Sequence, residues 1–413
     1  MRRIISKKYF MKHYFVLGMI FLLLLFTRIG QAQERLDLSA QIPIVAWYGI
    51  RANEATVERF KELKEAGFTI NFSEYSSLEE VEKALDAAHK VGVQLIIACP
   101  ELRKEPEKTV RKFMEHPAVA GYFLRDEPVV ADFAVLGDWA KRIQSVDNRK
   151  FCYLNLFPTG GEEHLRFLGV QNYREYITRF NKEVPLPFLS FDHYPVLGDN
   201  VLKAEWYENL EDFSDEARKI GKDFWAFALA TKHGPYPVPT RASLRLQLYS
   251  NLVYGAQGLQ YFTYWTPAGD SFYDYQHGPI GLDGKRTEVY DLVKDMNAEI
   301  RSIAGIFLGA KVLSVRHTGS VIPRGTTRLT TLPEKVKVLD THGYGTIISL
   351  LENGGKKYLA IVNRSLMDTM ELTFYADPSV KRVLKDGSLV SAESYTATLL
   401  ISPGDILIYL LEK

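Results

Sequence analysis

Between about residues 43 and 310 the sequence alternates short apolar runs with amphipathic stretches of helical period, eight times over. The strand-like runs fall at 44–50, 68–75, 93–99, 119–124, 151–157, 188–194, 224–230 and 259–265. Helical patterns lie between and after them, at 56–66, 78–91, 110–115, 133–145, 173–182, 207–220, 241–254 and 289–306. Eight strand-helix units in about 270 residues are the arithmetic of a closed (β/α)8 TIM barrel. A doubly wound open sheet is the competing architecture, but no glycine-rich phosphate loop follows any of the runs. The expected class is α/β, with a barrel over 37–308.

Beyond about residue 308 the pattern changes to short alternating runs at 335–340, 346–351, 358–363, 370–375 and 406–411. Asn353-Gly354-Gly355, Asp386-Gly387 and Pro403-Gly404-Asp405 punctuate them as turns, so residues 309–413 are expected to form a C-terminal antiparallel β-sandwich. It carries no catalytic constellation and reads as a buttress for the barrel. At the other end, Arg2, Arg3, Lys7, Lys8 and Lys12 precede the apolar stretch Val16 to Phe26 and the small residues before Ala32. That is the layout of a signal peptide over 1–32, with an apolar core short for a membrane span. The expectation is an exported chain, periplasmic, cell-surface or extracellular, with no stable membrane insertion after cleavage. Cys99 and Cys152 both sit inside apolar runs, where buried free thiols are expected.

Lys plus Arg number 51 against 50 for Asp plus Glu, so no global field favours nucleic acid or an anionic membrane. Partners must be argued from local sites, which in a barrel sit at the C-terminal ends of the strands. Those ends supply Trp47 and Tyr48, Glu74 and Tyr75, Arg125-Asp126-Glu127, Asn155, Asp192-His193-Tyr194, Thr231-Lys232-His233, and Tyr264-Trp265. The loop after the eighth run adds Asp270, Tyr273, Asp274 and His277. The sharpest of these ends is the fourth, Gly121 to Pro128, GYFLRDEP, where an apolar run breaks abruptly into charge.

Carboxylates, aromatics and amides suit glycoside cleavage by acid groups beside a ring-stacking platform. Acyl transfer, phosphoryl transfer and thiol redox chemistry lack their starting motifs: there is no GxSxG, no Walker loop and no CxxC. His193, His233 and His277 could join Asp192 at a metal, yet no HExxH occurs, and no metal or other cofactor is expected.

The fourth ending, Asp126-Glu127-Pro128, resembles the Asn-Glu-Pro ending of the clan A (β/α)8-barrel glycoside hydrolases, which include beta-galactosidases, cellulases and beta-mannanases. The resemblance implies that Glu127 is the general acid/base. It also matches Trp265 to the clan's strand-eight tryptophan, which floors the sugar site, and Asp192-His193-Tyr194-Pro195 to its strand six. The chain departs from the clan at strand seven, which reads Phe224 to Lys232 with no carboxylate where the nucleophilic Glu belongs.

These observations lead to a glycoside hydrolase acting on an oligo- or polysaccharide, with Glu127 as acid and Asp192 as the leading second carboxylate. Asp270, Asp274 and Glu74 are the other carboxylates in reach. Trp47, Trp225 and Trp265 are candidates for stacking on sugar, and Tyr48, Glu74, Asp126, Asn155, His193, Tyr194, Asp274 and His277 for lining the site. For Glu127 the competing reading is a salt bridge to Arg125, or ionisation beside Lys232. Two other functions stay open: a catalytically silent carbohydrate-binding barrel, and a metal-dependent barrel hydrolase.

Overall fold

A computed structural model of the chain describes residues 35–38, 40–269, 272–392 and 398–412. The leader expected at 1–32 and the candidate Asp270 lie outside the described residues. Among those described, no helix is long and apolar enough to cross a membrane.

Each of the eight apolar runs holds a strand: β1 Ile44–Trp47, β2 Ile70–Phe72, β3 Gln94–Ile97, β4 Val119–Asp126, β5 Phe151–Asn155, β6 Phe188–Phe191, β7 Asp223–Leu229 and β8 Gly258–Phe262. They form one parallel sheet in the order β5-β4-β3-β2-β1-β8-β7-β6. A parallel bridge from Leu156 to Phe191, with the Leu156 N–H 2.8 Å from the Ser190 carbonyl, joins β5 to β6 and closes the barrel. The fold is therefore a TIM barrel.

The helices around it are α1 Val57–Glu65, α2 Leu78–His89, α3 Pro100–Lys104, α4 Pro106–Phe113, α5 Phe133–Gln144, α6 Glu162–Leu168, α7 Tyr173–Glu183, α8 Trp206–Ile220, α9 Arg241–Val253 and α10 Glu288–Phe307. Their origins are local. In α2 the Ser77 side chain accepts the Glu80 N–H as a cap, and Val81, Ala84, Leu85 and Ala88 recur at helical spacing to bury one face. The short α3 and α6 carry too few apolar positions to show a period in the sequence.

Side chains alternate along every strand, so each contributes one set to the space between sheet and helices and another to the barrel interior. Trp225 and Phe188 stack at 4.1 Å near the starts of β7 and β6, over Gly258 where β8 begins. A Cβ on Gly258 would lie 2.5 Å from the Trp225 ring, so glycine is what lets the indole in. Trp47, Phe72, Phe123, Tyr153 and Phe227 fill the interior nearer the strand ends.

The C-terminal part is antiparallel. Strands β9 Lys311–His317, β11 Thr346–Asn353, β12 Lys356–Asn363, β14 Lys381–Val383, β15 Leu389–Ser391 and β17 Ile406–Glu412 form one sheet. Strands β10 Val336–Asp340, β13 Met370–Ala376 and β16 Leu399–Ile401 form the other. Phe374 and Tyr409 stack at 3.9 Å between the two sheets. The first sheet leans on the barrel through Ser349, whose hydroxyl donates to the Val253 carbonyl, and through Asn353, which donates to the Gly305 and Leu308 carbonyls. An ion network of Arg245, Glu299, Lys385 and Asp405 straddles the same junction. Both cysteines are free thiols, Cys152 buried and Cys99 partly so.

Candidate active site at the barrel mouth

β4 runs past its apolar core through Arg125 and Asp126, and Glu127 follows at the C-terminal end of the barrel. Glu127 keeps one ladder bond, its N–H to the Asn155 carbonyl at 2.9 Å, but adopts φ +45°. A non-glycine residue in that region is strained and persists only where its surroundings hold it. Here the hold includes the next residue: the Pro128 carbonyl accepts the Tyr176 hydroxyl from α7 at 2.6 Å. Tyr48, just past the end of β1, has φ +44°. Two residues at the mouth thus share the same uncommon backbone conformation.

Asn155, buried at the end of β5, ties the acids together. Its amide nitrogen lies 2.8 Å from Asp192 Oδ1 and 3.2 Å from Asp126 Oδ1. Its own Oδ1 accepts the Ser190 hydroxyl, which in turn accepts from the Gln260 amide; Tyr153 donates to Gln260 Oε1. This chain of amides and hydroxyls runs through the barrel interior from β8 by way of β5 and β6, and fixes the carboxylates from beneath.

Glu127 and Asp192 lie close enough for each to govern the other's charge, with the Tyr194 phenol beside Asp192. Burial raises the Glu127 pKa well above the ordinary carboxylate range, and the charges of Asp192 and Asp126 raise it further. Asp192 is also raised, by burial first, against the bonds from Asn155, Glu127 and Tyr194 that favour its charge. Asp126, open to the mouth but closely walled by protein, is pushed up to about 7 by desolvation, then by Asp192, with a smaller contribution from Glu74. Burial and mutual repulsion thus favour retention of a proton by the pair.

Among the described residues no cation pairs with Glu127. Arg125 turns to Asp132 at 3.4 Å, and Lys232 lies 3.3 Å from Gln276 Oε1. Both partners weighed for Glu127 from the sequence are thereby engaged elsewhere.

The opposite side of the mouth is aromatic. Phe262, at the end of β8, packs against Tyr48 at 5.7 Å, Tyr194 at 5.7 Å and His233 at 5.5 Å. His233 in turn meets Tyr236 at 4.8 Å and Tyr275 at 5.0 Å. The end of β7 brings only Leu229, and after it Thr231, whose hydroxyl is bound to that of Thr263 at 2.8 Å. Tyr48 is 42% exposed, and its phenol faces Asp126 and Glu74.

Several sequence candidates stand apart from this cluster. His193 is 4% exposed and neutral, its pKa lowered to about 3 by burial, with Nδ1 2.9 Å from Asn209 of α8; alternation puts it on the face opposite Asp192 and Tyr194. Trp225, a candidate for stacking on sugar, lies instead at the far end of the barrel, paired with Gly258 where β8 begins. Trp265 is buried at 3% exposure between the guanidinium groups of Arg51 and Arg59, at 4.7 and 5.0 Å, and offers no open face to a sugar. Trp47 is buried beneath the mouth. Asp274 is exposed and hydrogen-bonds Gln276, while His277 engages Glu288 at 2.6 Å. His193, His233 and His277 therefore do not converge, and no cluster of three or more metal-ligating side chains occurs among the described residues. Sequence reasoning missed Phe262, Tyr236 and Tyr275. Only Phe262 had a signal, its place in the eighth apolar run.

No family model matches the sequence, and no curated protein matches it. Solved structures do resemble the fold. The beta-galactosidase of Bacillus circulans sp. alkalophilus superposes with a TM-score of 0.60 at 9% identity, over 90% of this chain and 99% of that one. A catalytic mutant of a GH42 beta-galactosidase from G. stearothermophilus gives 0.55 at 8% identity, over 92% and 100%. Against the beta-galactosidase of the psychrophilic Marinomonas ef1 the chain covers 64% of its own length and 60% of that protein's, at 12% identity and a TM-score of 0.45. At 8–9% identity the first two likenesses show the fold and not the chemistry.

Proposed function

We propose that this protein is a glycoside hydrolase in which Glu127 is the general acid. One observation carries the reading: a carboxyl group at the open end of strand four, paired with Asp192 and flanked by Asp126 so that it keeps its proton at neutral pH. A protonated carboxylic acid is what a leaving glycosidic oxygen requires. The aromatic wall of Phe262, Tyr48 and Tyr194 supports a carbohydrate as the substrate, since pyranose rings stack on such faces. The likeness to beta-galactosidase folds supports the same class without choosing the sugar.

Asp192 serves here as the partner that holds the proton on Glu127. Two-carboxylate hydrolysis places its groups about 5–5.5 Å apart for retention or about 6.5–9.5 Å for inversion. β7 ends without a carboxylate, so no second acid stands at the strand-seven position. The second reading follows from that gap. The substrate supplies its own nucleophile, the carbonyl oxygen of a 2-acetamido group, and Asp126 beside the acid accepts the acetamido N–H and stabilises the cation that forms.

The test pairs two leaving groups with two sugars. Glu127→Gln should reduce kcat/KM on alkyl glycosides or disaccharides about 10²–10⁴-fold, while 2,4-dinitrophenyl glycosides, which need no protonation, lose far less. Equal losses on both would remove Glu127 from the acid role. Comparison of 2-acetamido with 2-hydroxyl glycosides decides the second reading, which fails if the 2-hydroxyl sugar is cleaved as well. Glycan binding without turnover in either form would leave a carbohydrate-binding barrel.

A further inference from the structure

A cavity of about 440 Å³ opens beside the mouth, between the loops that follow β2 and β3, and it takes no part in the chemistry above. Phe123 and Trp139 contribute aromatic surface, Glu74 forms the edge towards Asp126, and Arg103 and Lys104 of α3 stand on the other side. The Trp139 ring is held in place by its N–H, which donates to the Leu102 carbonyl at 3.1 Å, and the Arg103 guanidinium lies over that ring at 6.0 Å. Neither Arg103 nor Lys104 has a carboxylate partner among the described residues. Their neighbours do: Lys108 is paired with Glu105 at 2.8 Å, and Lys112 with Glu82 at 2.8 Å.

We propose that this cavity is a subsite for an anionic sugar unit, one bearing a carboxylate or a sulfate, next to the residue held at the acid cluster. The inference rests on the carbohydrate reading of the mouth and adds the charge of the substrate. Two adjacent cations without carboxylate partners, one of them resting on Trp139, border a cavity that reaches the acid cluster through Glu74, which suits an acidic group taking charge-assisted hydrogen bonds. The orientation is set by Glu74. Its carboxylate faces the catalytic side, so the neutral edge of the sugar lies there and the anionic group lies towards α3. Arg103 supplies a planar fork for a carboxylate or sulfate, and Lys104 a mobile point charge.

The experiment measures binding rather than turnover, on the full chain carrying Glu127→Gln. The probes are a chondroitin 4-sulfate tetrasaccharide, its desulfated form, and a desulfated form with reduced carboxyl groups, titrated calorimetrically at 50 and 300 mM NaCl. The expected result is at least about tenfold tighter binding of an anionic probe than of the neutral one, a difference of about 1.4 kcal/mol. The preference should shrink at high salt and disappear in Arg103→Ala/Lys104→Ala. Loss of preference on desulfation assigns sulfate; retention until carboxyl reduction assigns carboxylate. Equal affinity for all three probes, no binding of any probe, or a preference that survives the double substitution overturns the subsite. Arg103 and Lys104 are exposed, and an unchanged melting temperature verifies that the variant is folded. Charge-selective binding without hydrolysis by the unsubstituted chain would sink the catalytic reading and leave the subsite standing. Hydrolysis of neutral glycosides without charge selectivity would do the reverse.

Discussion

The two sides of the barrel mouth are built by different means. On the side of β4 to β6, Asp126, Glu127, Asn155 and Asp192 come from strand ends and are tied to a buried chain of hydrogen bonds through Ser190 and Gln260. On the side of β7 and β8, Phe262 alone comes from a strand end; His233, Tyr236 and Tyr275 reach it from loops and meet through ring contacts. The first side fixes protons and the second offers surface. A carboxylate raised by its neighbours is sensitive to every charge around it, because each unit of pKa is about 1.4 kcal/mol. An aromatic wall is tolerant, because stacking is spread over many weak contacts. On the proposed function, substitutions on the acid side should therefore act on rate and pH dependence, and those on the aromatic side on affinity.

The largest effect expected after that of Glu127→Gln belongs to Asp192→Asn. Removing the adjacent negative charge lowers the Glu127 pKa, so a smaller fraction of enzyme carries the proton as pH rises. The alkaline limb of the kcat/KM profile should move down by about 1–2 units. Activity should drop about tenfold near pH 10 and stay nearly level at pH 5. A limb that stays in place would show that Asp192 does not govern the proton on Glu127.

On the other side, Phe262→Ala should raise KM about tenfold with kcat changed less than about threefold, the mark of lost uniform binding. Should kcat fall instead while KM holds, the division of labour between the two sides would fail. Both variants need a melting curve as a control, since Phe262 also packs Tyr194 against His233.

The contrast also explains what the sequence made legible. Each of the eight apolar runs held a strand because its burial is a property of the run itself, and the acid side was readable because Asp126 and Glu127 break such a run with charge. The aromatic side was not. Trp265 lies three residues past the end of β8, so the residue that faces the mouth is Phe262, and a boundary error of that size exchanges one side chain for another. Trp225 sits inside an apolar run that looks the same from either end, and only the pairing of Trp225 with Gly258 places it far from the mouth. His193 was within reach of sequence reasoning, because period-two alternation already separates it from Asp192 and Tyr194. Tyr236 and Tyr275 belong to loops whose paths no local pattern specifies. The strands β14, β15 and β16 of the sandwich, three residues each, are too short to display alternation.

The smallest effect is on stability, and it tests whether the acid side is held at a cost. Asp126 ionises near 3.8 in an unfolded chain and at about 7 in the folded one. Between those values the folded state binds more protons than the unfolded state, so stability falls as pH rises through that window and is level above it. Asp126→Asn removes the term while keeping an oxygen to accept the Asn155 amide. The variant should match the unsubstituted protein in melting temperature at pH 4 and exceed it by about 1–2 °C at pH 8, a small shift for a chain of this size. His193 and His317 oppose this trend: each is buried neutral with its pKa lowered to about 3, so each costs stability as pH falls from about 6.5 and protonates the unfolded chain first. Because both proteins carry those histidines, the difference between their melting curves isolates Asp126. A difference that is the same at pH 4 and pH 8 would mean that Asp126 sits at the mouth at no electrostatic cost.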